Sequence, residues 1–347
     1  MNKMERRKFI KALVISGAGL FAFPFRFTST IFAAPSKAKV VKIRNPNMRN
    51  SKGDINKLEI NRTIYEALRI LSESSSGEEL LQKLINPKDV VGIKVSAYLG
   101  EANNATKPEI AYGLADFLIK IGVPDNQIII WDRTADELEQ AGYVINDKKT
   151  DVRCIATNTK RVQRLSKPMA GFDDKTISIG SATTRVSNIV SKLCTVLINM
   201  PSIKTFKFKE YTGVSGAIMN MYGAIEINDG NSKVLYENDC NPGAAEIYNI
   251  KDIKNKTRLV ICDAIYPLYN GGPSDDSRYH WNYNGIIAGL DPVAVDIVAQ
   301  ESIQEYRDKV LPDAPKLRSD YLETCAGSKY RLGIVDIKQI EVIEKEI

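Results

Sequence analysis

The stretch from Asp89 to Glu137 constrains the fold most tightly. Asp89-Val90-Val91-Gly92-Ile93-Lys94-Val95 is a short, nearly continuous apolar run, the pattern of a strand buried on both faces. Downstream, Ile110, Leu114, Phe117, Leu118 and Ile121 recur at i, i+4, i+7, i+8 and i+11, which is one face of a helix. Pro108 suits the first turn of that helix, Gly122 its stop, and Pro124 lies just beyond. Gln127 to Trp131 reads as a second buried strand. Thr134-Ala135-Asp136-Glu137 then has the spacing of a capping box, so another helix opens there. Strand, helix and strand at this spacing imply a parallel pair joined by a right-handed crossover.

The rest of the chain extends that pattern. Apolar runs over 193–199 and 258–262 read as further strands, and Val40 to Ile43 as another. Helices are expected over 58–71, 213–221 and 291–303, the last opened by Asp291-Pro292, an Asx cap with proline at the first position. The stretch 147–185 is polar with weak periodicity, either an insertion or a small second lobe. The expected class is α/β, with a mostly parallel sheet covered by helices on both faces and a single domain over 35–347.

The first 34 residues belong to a different economy of residues. Arg6-Arg7-Lys8-Phe9-Ile10-Lys11 precedes an apolar run from Ala12 to Phe25 that Arg26 closes. The run is short for a membrane span and its flanks are those of a targeting segment. The paired Arg6 and Arg7 resemble a twin-arginine (Tat) export signal, a route that carries folded proteins and makes the Tat machinery an expected partner. Ala33-Ala34-Pro35 offers small residues for cleavage, but Ile31 and Phe32 suit the upstream position poorly. The segment is either cut near Ala34 or kept as an anchor, which is the one membrane contact expected. The expected location is periplasmic or otherwise extracytoplasmic. The whole chain carries a net charge of +6, of which residues 1–34 hold +5. The remainder is nearly neutral and gives no electrostatic footprint for nucleic acid.

Metal and cluster chemistry is narrowed by what the chain lacks. Cys154, Cys194, Cys240, Cys262 and Cys325 form no C-x-x-C pair, so no ferredoxin-type cluster or zinc ribbon is encoded. The lone histidine, His280, excludes HExxH and multi-histidine sites. No metal is expected, and the residues name no cofactor.

In open α/β sheets, ligands bind beyond the carboxyl ends of the strands. The first strand ends at Lys94 and Ser96, the second delivers Asp132, the third Asn199 and then Lys204, the fourth Asp263. These would form a polar pocket for a small anionic or redox ligand. An extended backbone from Ile203 to Lys209 puts Lys204 on the face of Phe206 and Phe208, away from Lys207 and Lys209. A lysine on that face needs Asp263, Asp296 or a bound anion as partner, or else it snorkels to solvent. Asp296 lies in a helix apolar nearly all round, so its carboxylate must be hydrogen-bonded or paired, whether for structure or catalysis. Gly213-Val214-Ser215-Gly216 is read as a helix start that could face an anion, with Asn220 one turn later. Ser215, Asp263 and His280 follow the chain order of a hydrolase triad, but the G-x-S-x-G elbow is absent. His280, among aromatics in a polar loop, is a candidate ligand contact or proton carrier.

Several of these motifs, taken in order, resemble the family known as domain of unknown function 362 (DUF362). They are Gly92-Ile93-Lys94-Val95, Thr106 and Pro108, Leu197-Ile198-Asn199-Met200-Pro201 with Lys204-Thr205, and Gly213 through Gly216 with Ala217, Asn220 and Gly223. Asp263-Ala264, Gly272-Pro273, Ala288-Gly289 and Asp291-Pro292-Val293-Ala294-Val295-Asp296 complete the series. Members often carry a Tat signal, as the resemblance implies here, and some carry ferredoxin-type cysteines that this chain lacks. Met219 stands where the family usually has lysine, and Phe206 where it often has histidine, so part of any shared chemistry would be missing. The resemblance supplies no reaction. The expectation is an exported small-ligand enzyme or redox accessory; the alternative is a non-catalytic binding or scaffold protein of the cell envelope.

Overall fold

The computed structural model describes residues 37–158, 170–209 and 211–347. The expected signal, with Arg6 and Arg7, lies outside the described residues. The described residues form twelve strands: β1 (Ala38–Arg44), β2 (Val91–Val95), β3 (Ile128–Thr134), β4 (Arg153–Asn158), β5 (Phe172–Ile179), β6 (Ala182–Ser187), β7 (Val196–Met200), β8 (Ser202–Lys207), β9 (Thr212–Ser215), β10 (Thr257–Leu268), β11 (Gly285–Gly289) and β12 (Ile340–Glu346). The α-helices are α1 (Lys57–Ser72), α2 (Glu78–Leu84), α3 (Pro108–Lys120), α4 (Ala135–Gln140), α5 (Ala217–Asn220), α6 (Ser232–Leu235), α7 (Gly243–Tyr248), α8 (Lys251–Lys256), α9 (Pro292–Val310) and α10 (Asp320–Ala326).

Ten strands make one sheet, in the order β12-β1-β11-β10-β7-β2-β3-β4, with β8 branching from β10 and β9 beside β8. The run β10-β7-β2-β3-β4 is parallel throughout, β11 is antiparallel to both its neighbours, and β12 is parallel to β1. The unit β2-α3-β3 is the βαβ motif legible in the sequence, and its register sets Lys94 against Trp131 on one side and Asn199 on the other.

Alternation along each strand supplies two cores. Val91, Ile93, Val95, Ile198, Met200 and Ile261 face the layer of α1 and α3, packed by Ile60, Ile64, Leu68, Ile110 and Leu114. Trp131, Leu197, Val260 and Cys262 face the layer of α5, α7 and α9, packed by Ile218, Ile247 and Val295. Each fully buried side chain of this size contributes about 1.5–3 kcal/mol, so both faces are strongly specified.

Several elements differ from their expected form, among them β10, which runs from Thr257 to Leu268 and not only over 258–262. Thr212–Ser215 is a strand, because its backbone pairs with β8 (Lys204 opposite Ser215, Phe206 opposite Gly213), and the helix begins only at Ala217, α-helical to Asn220 and 3-10 over Met221–Ala224. Residues 147–185 divide: Arg153–Asn158 is the edge strand beside β3, while β5 pairs with β6 in a separate antiparallel hairpin. The helix opened by Asp291 runs on to Val310, and Asp291 does cap it, accepting from the amides of Val293 and Ala294 at 2.9 Å each. All five cysteines are buried and free.

Candidate functional site

The carboxyl ends of β2 and β3 bring Lys94 and Asp132 together. Lys94 is 1% exposed, and its Nζ lies 2.7 Å from Asp132 Oδ1. It also donates to the Val95 carbonyl at 2.7 Å and to Asn220 Oδ1 at 3.1 Å. All three ammonium donors are therefore used. Burial pulls the Lys94 pKa below its ordinary value, and the Asp132 charge opposes that pull. Asp132 is fixed in turn: its carboxylate accepts from the amides of Ala97 (2.6 Å) and Arg133 (2.7 Å). Asn220 arrives from α5 and donates to Asn199 Oδ1 at 2.8 Å and to the Lys94 carbonyl at 3.2 Å. Asn199 stands behind it, donating to the Ala217 carbonyl at 2.7 Å. Gly223 closes over the pair: a Cβ there would lie 2.6 Å from Asp132 Oδ1 and 2.7 Å from Lys94 Nζ. Only glycine allows this approach.

Lys204 arrives from β8 and is 2% exposed. Its Nζ donates to the carbonyls of Asn104 (2.9 Å) and Ser202 (3.0 Å) and lies 3.4 Å from Ser96 Oγ. It forms no ion pair among the described residues, so neither Asp263 nor Asp296 fills the expected role of counter-charge. Burial lowers its pKa to about 8, only partly offset by the more distant charge of Asp263. Thr106 fastens the intervening loop: its hydroxyl donates to the Met200 carbonyl at 2.7 Å and accepts from the Ser96 amide at 2.9 Å.

Lys94, Ser96, Asp132, Lys204, Ser215 and Asn220 line one cleft, as the carboxyl-edge argument anticipates. Its volume is about 60 Å³, room for a few waters or one small polar group. Phe206, on the Lys204 face as expected, and Pro273, from the turn after β10, also line it; the sequence reading missed the other walls, Tyr98, Arg133, Glu137, Met219, Tyr222 and Tyr236. Arg133 and Glu137 pair at 3.0 Å, and the rings of Tyr222 and Tyr236 stack at 5.2 Å. The capping-box spacing of Thr134 and Glu137 was a usable signal for one wall. The tyrosines come from loops that carry no periodicity.

The other candidates lie apart from the cleft lining. Asp263 sits within the long β10 and accepts from the amides of Lys107 (2.8 Å) and Ile265 (2.9 Å), anchoring the loop that supplies Ser96. Asp296 is wholly buried and holds the amides of Ala217 (2.6 Å) and Ile218 (3.0 Å), so it anchors the start of α5. Burial raises its pKa to about 7. His280 stacks on Tyr266 and bridges the Tyr266 carbonyl (2.8 Å) and Asp275 (2.6 Å). Ser215, Asp263 and His280 thus do not share contacts, and no triad is assembled. No group of three or more potential metal-ligating side chains occurs among the described residues.

The family model described as domain of unknown function (DUF362) matches residues 91–301. The match begins at β2 and ends within α9, enclosing every cleft residue named above. Among solved structures, the crystal structure of a Thermotoga maritima protein, a structural genomics target, is similar at 12% identity and a TM-score of 0.40. The alignment covers 74% of this chain and 59% of that one. No curated protein matches the chain.

Proposed function

The chain belongs to the DUF362 family, and from that premise we propose that it is an exported enzyme that binds a small anionic ligand in the cleft at the carboxyl ends of β2, β3 and β8. One observation carries the reading: Lys204 is buried, and among the described residues no carboxylate contacts its amine. A buried cation costs several kcal/mol unless charge compensates it. The other charges lining the cleft cancel, Lys94 against Asp132 and Arg133 against Glu137. Lys204 is the charge left over, and a ligand anion would complete it. The small inner volume suits a carboxylate or phosphate, while Phe206, Met219, Tyr222 and Tyr236 offer an apolar wall to the rest of the molecule. An amine titrating near pH 8 can also exchange protons at neutral pH, which supports catalysis over passive binding.

The test is calorimetry on the full chain with pyruvate, lactate, benzoate and inorganic phosphate. At least one anion should bind to the wild type and to Lys207→Met, a change at an exposed position, and fail to bind to Lys204→Met. Equal binding to all three proteins, or none to any, would refute the proposal. Export by the Tat route is supported by Arg6-Arg7 and the apolar run behind it.

A further inference from the structure

Resting on that reading, we infer that the ligand is a small carbonyl acid of the 2-oxo acid class, and that Lys204 adds to its carbonyl to form an imine. Three lysines gather at this edge. Lys94 is locked to Asp132. Lys107 is wrapped by the carbonyls of Ala102, Asn103 and Ala105 and does not line the cleft. Lys204 alone among them both lines the cleft and, among the described residues, lacks a carboxylate in contact, so it loses a proton without breaking an ion pair there.

Its hydrogen bonds serve the ammonium and, with Ser96 donating instead of accepting, the neutral amine as well. Such an amine has two hydrogens and one lone pair. The carbonyls of Asn104 and Ser202 accept the two hydrogens, and the third direction meets only the Ser96 hydroxyl, at 3.4 Å. That leaves the lone pair on the side of a group that can move a proton. Desolvation beside a second cation is a recognised way to activate a lysine nucleophile. The charged groups acting on Lys204 are Asp263 of β10, Lys107 of the preceding loop, Asp132 of β3 and Lys94 of β2; together with burial they leave its pKa at about 8.

The step balances without a co-reactant. The nitrogen lone pair forms the C–N bond and the carbonyl π pair moves to oxygen. Of the three protons on the starting ammonium, two leave with that oxygen as water and one stays on the iminium. No atom changes oxidation state through an external partner. The iminium restores a positive charge where the ammonium stood, next to the carboxylate of the bound acid, which favours a 2-oxo acid over an uncharged aldehyde.

The full chain is incubated with pyruvate or glyoxylate and sodium cyanoborohydride, and its peptides are mapped by mass spectrometry. The expected result is a saturable adduct on Lys204, formed faster as pH rises through about 8, absent with lactate, lost in Lys204→Met and Lys204→Arg, and kept in Lys207→Met. Labelling of exposed lysines such as Lys207 in place of Lys204 would overturn the inference. So would no adduct on a protein that binds both pyruvate and lactate by calorimetry; that outcome leaves the anion reading standing. A protein that binds none of the four anions and gives no adduct loses both, whereas one that binds only phosphate or benzoate and gives no adduct loses the imine alone.

Discussion

Replacing Lys204 by methionine should alter stability in a way that depends on pH. The folded protein holds the Lys204 pKa at about 8 against an ordinary 10.5, which corresponds to about 3 kcal/mol of folding free energy lost to keeping the charged form buried. The sign follows from proton counting. Between those two values the unfolded chain binds more protons than the folded one, so wild-type stability rises with pH across that interval. Below about pH 8 the penalty is fully present; approaching 10.5 it disappears. From pH 7 to pH 9.5 the relief amounts to about 2 kcal/mol. Lys204→Met never carries the penalty. The variant also loses the contacts to Asn104, Ser202 and Ser96, but that loss is the same at both pH values and cancels in the comparison. Urea unfolding of both proteins at pH 7 and at pH 9.5 therefore isolates the effect. The variant's stability relative to wild type should fall by about 2 kcal/mol over that range. A difference that stays constant with pH would show that the ammonium is solvated and that the reasoning about its burial fails.

Three further outcomes are expected. Asp132→Asn leaves the Lys94 ammonium without its counter-charge 2.7 Å away and should cost about 3–5 kcal/mol in denaturant titration; a loss below about 1 kcal/mol would mean the pair is not insulated from water. Gly223→Ala places a methyl against Lys94 and Asp132 and should lower stability by about 1–3 kcal/mol while abolishing anion binding, an expectation undone by unchanged affinity in calorimetry. Changing Arg6-Arg7 to Lys-Lys should leave the protein in the cytoplasm, as read by fractionation and immunoblot; normal export of that variant argues against the Tat assignment.

Much of the architecture was legible because buried parallel strands leave a plain trace. Val90 to Val95 and Ile128 to Trp131 are nearly all apolar, and the helix between them announces its face, start and stop. Once those strands are parallel, Lys94 and Asp132 must emerge at the same edge, so their convergence was legible too. Lys204 was legible through its neighbours on one face of an extended segment. The residues that escaped are those whose environment is set by contacts distant in sequence. Asp263 read as a strand end, but β10 continues to Leu268 because it pairs with both β7 and β8, and its carboxylate is taken up by the Lys107 amide. His280 read as a loop residue, yet Asp275 and Tyr266 hold it in the interior. Gly213 and Ser215 read as a helix start because their local glycines permit one; pairing with β8 decides otherwise.

The place of β1 in the sheet bears on how the protein is made. Its two partners are β11 and β12, so Val40 waits for Gly289 and for Val342. A ribosome releases Ala38–Arg44 long before either partner exists, and the apolar Val40, Val41 and Ile43 then have no sheet to join. Contacts this far apart in sequence form late and slowly, and unpaired apolar strands invite association with other chains in the meantime. The sheet can be completed only after Ile340–Glu346 has been made, so chaperone demand should concentrate on the nascent chain that already carries Ala38–Arg44, and a ribosome stalled before Gly285 would hold a product that cannot close its own fold.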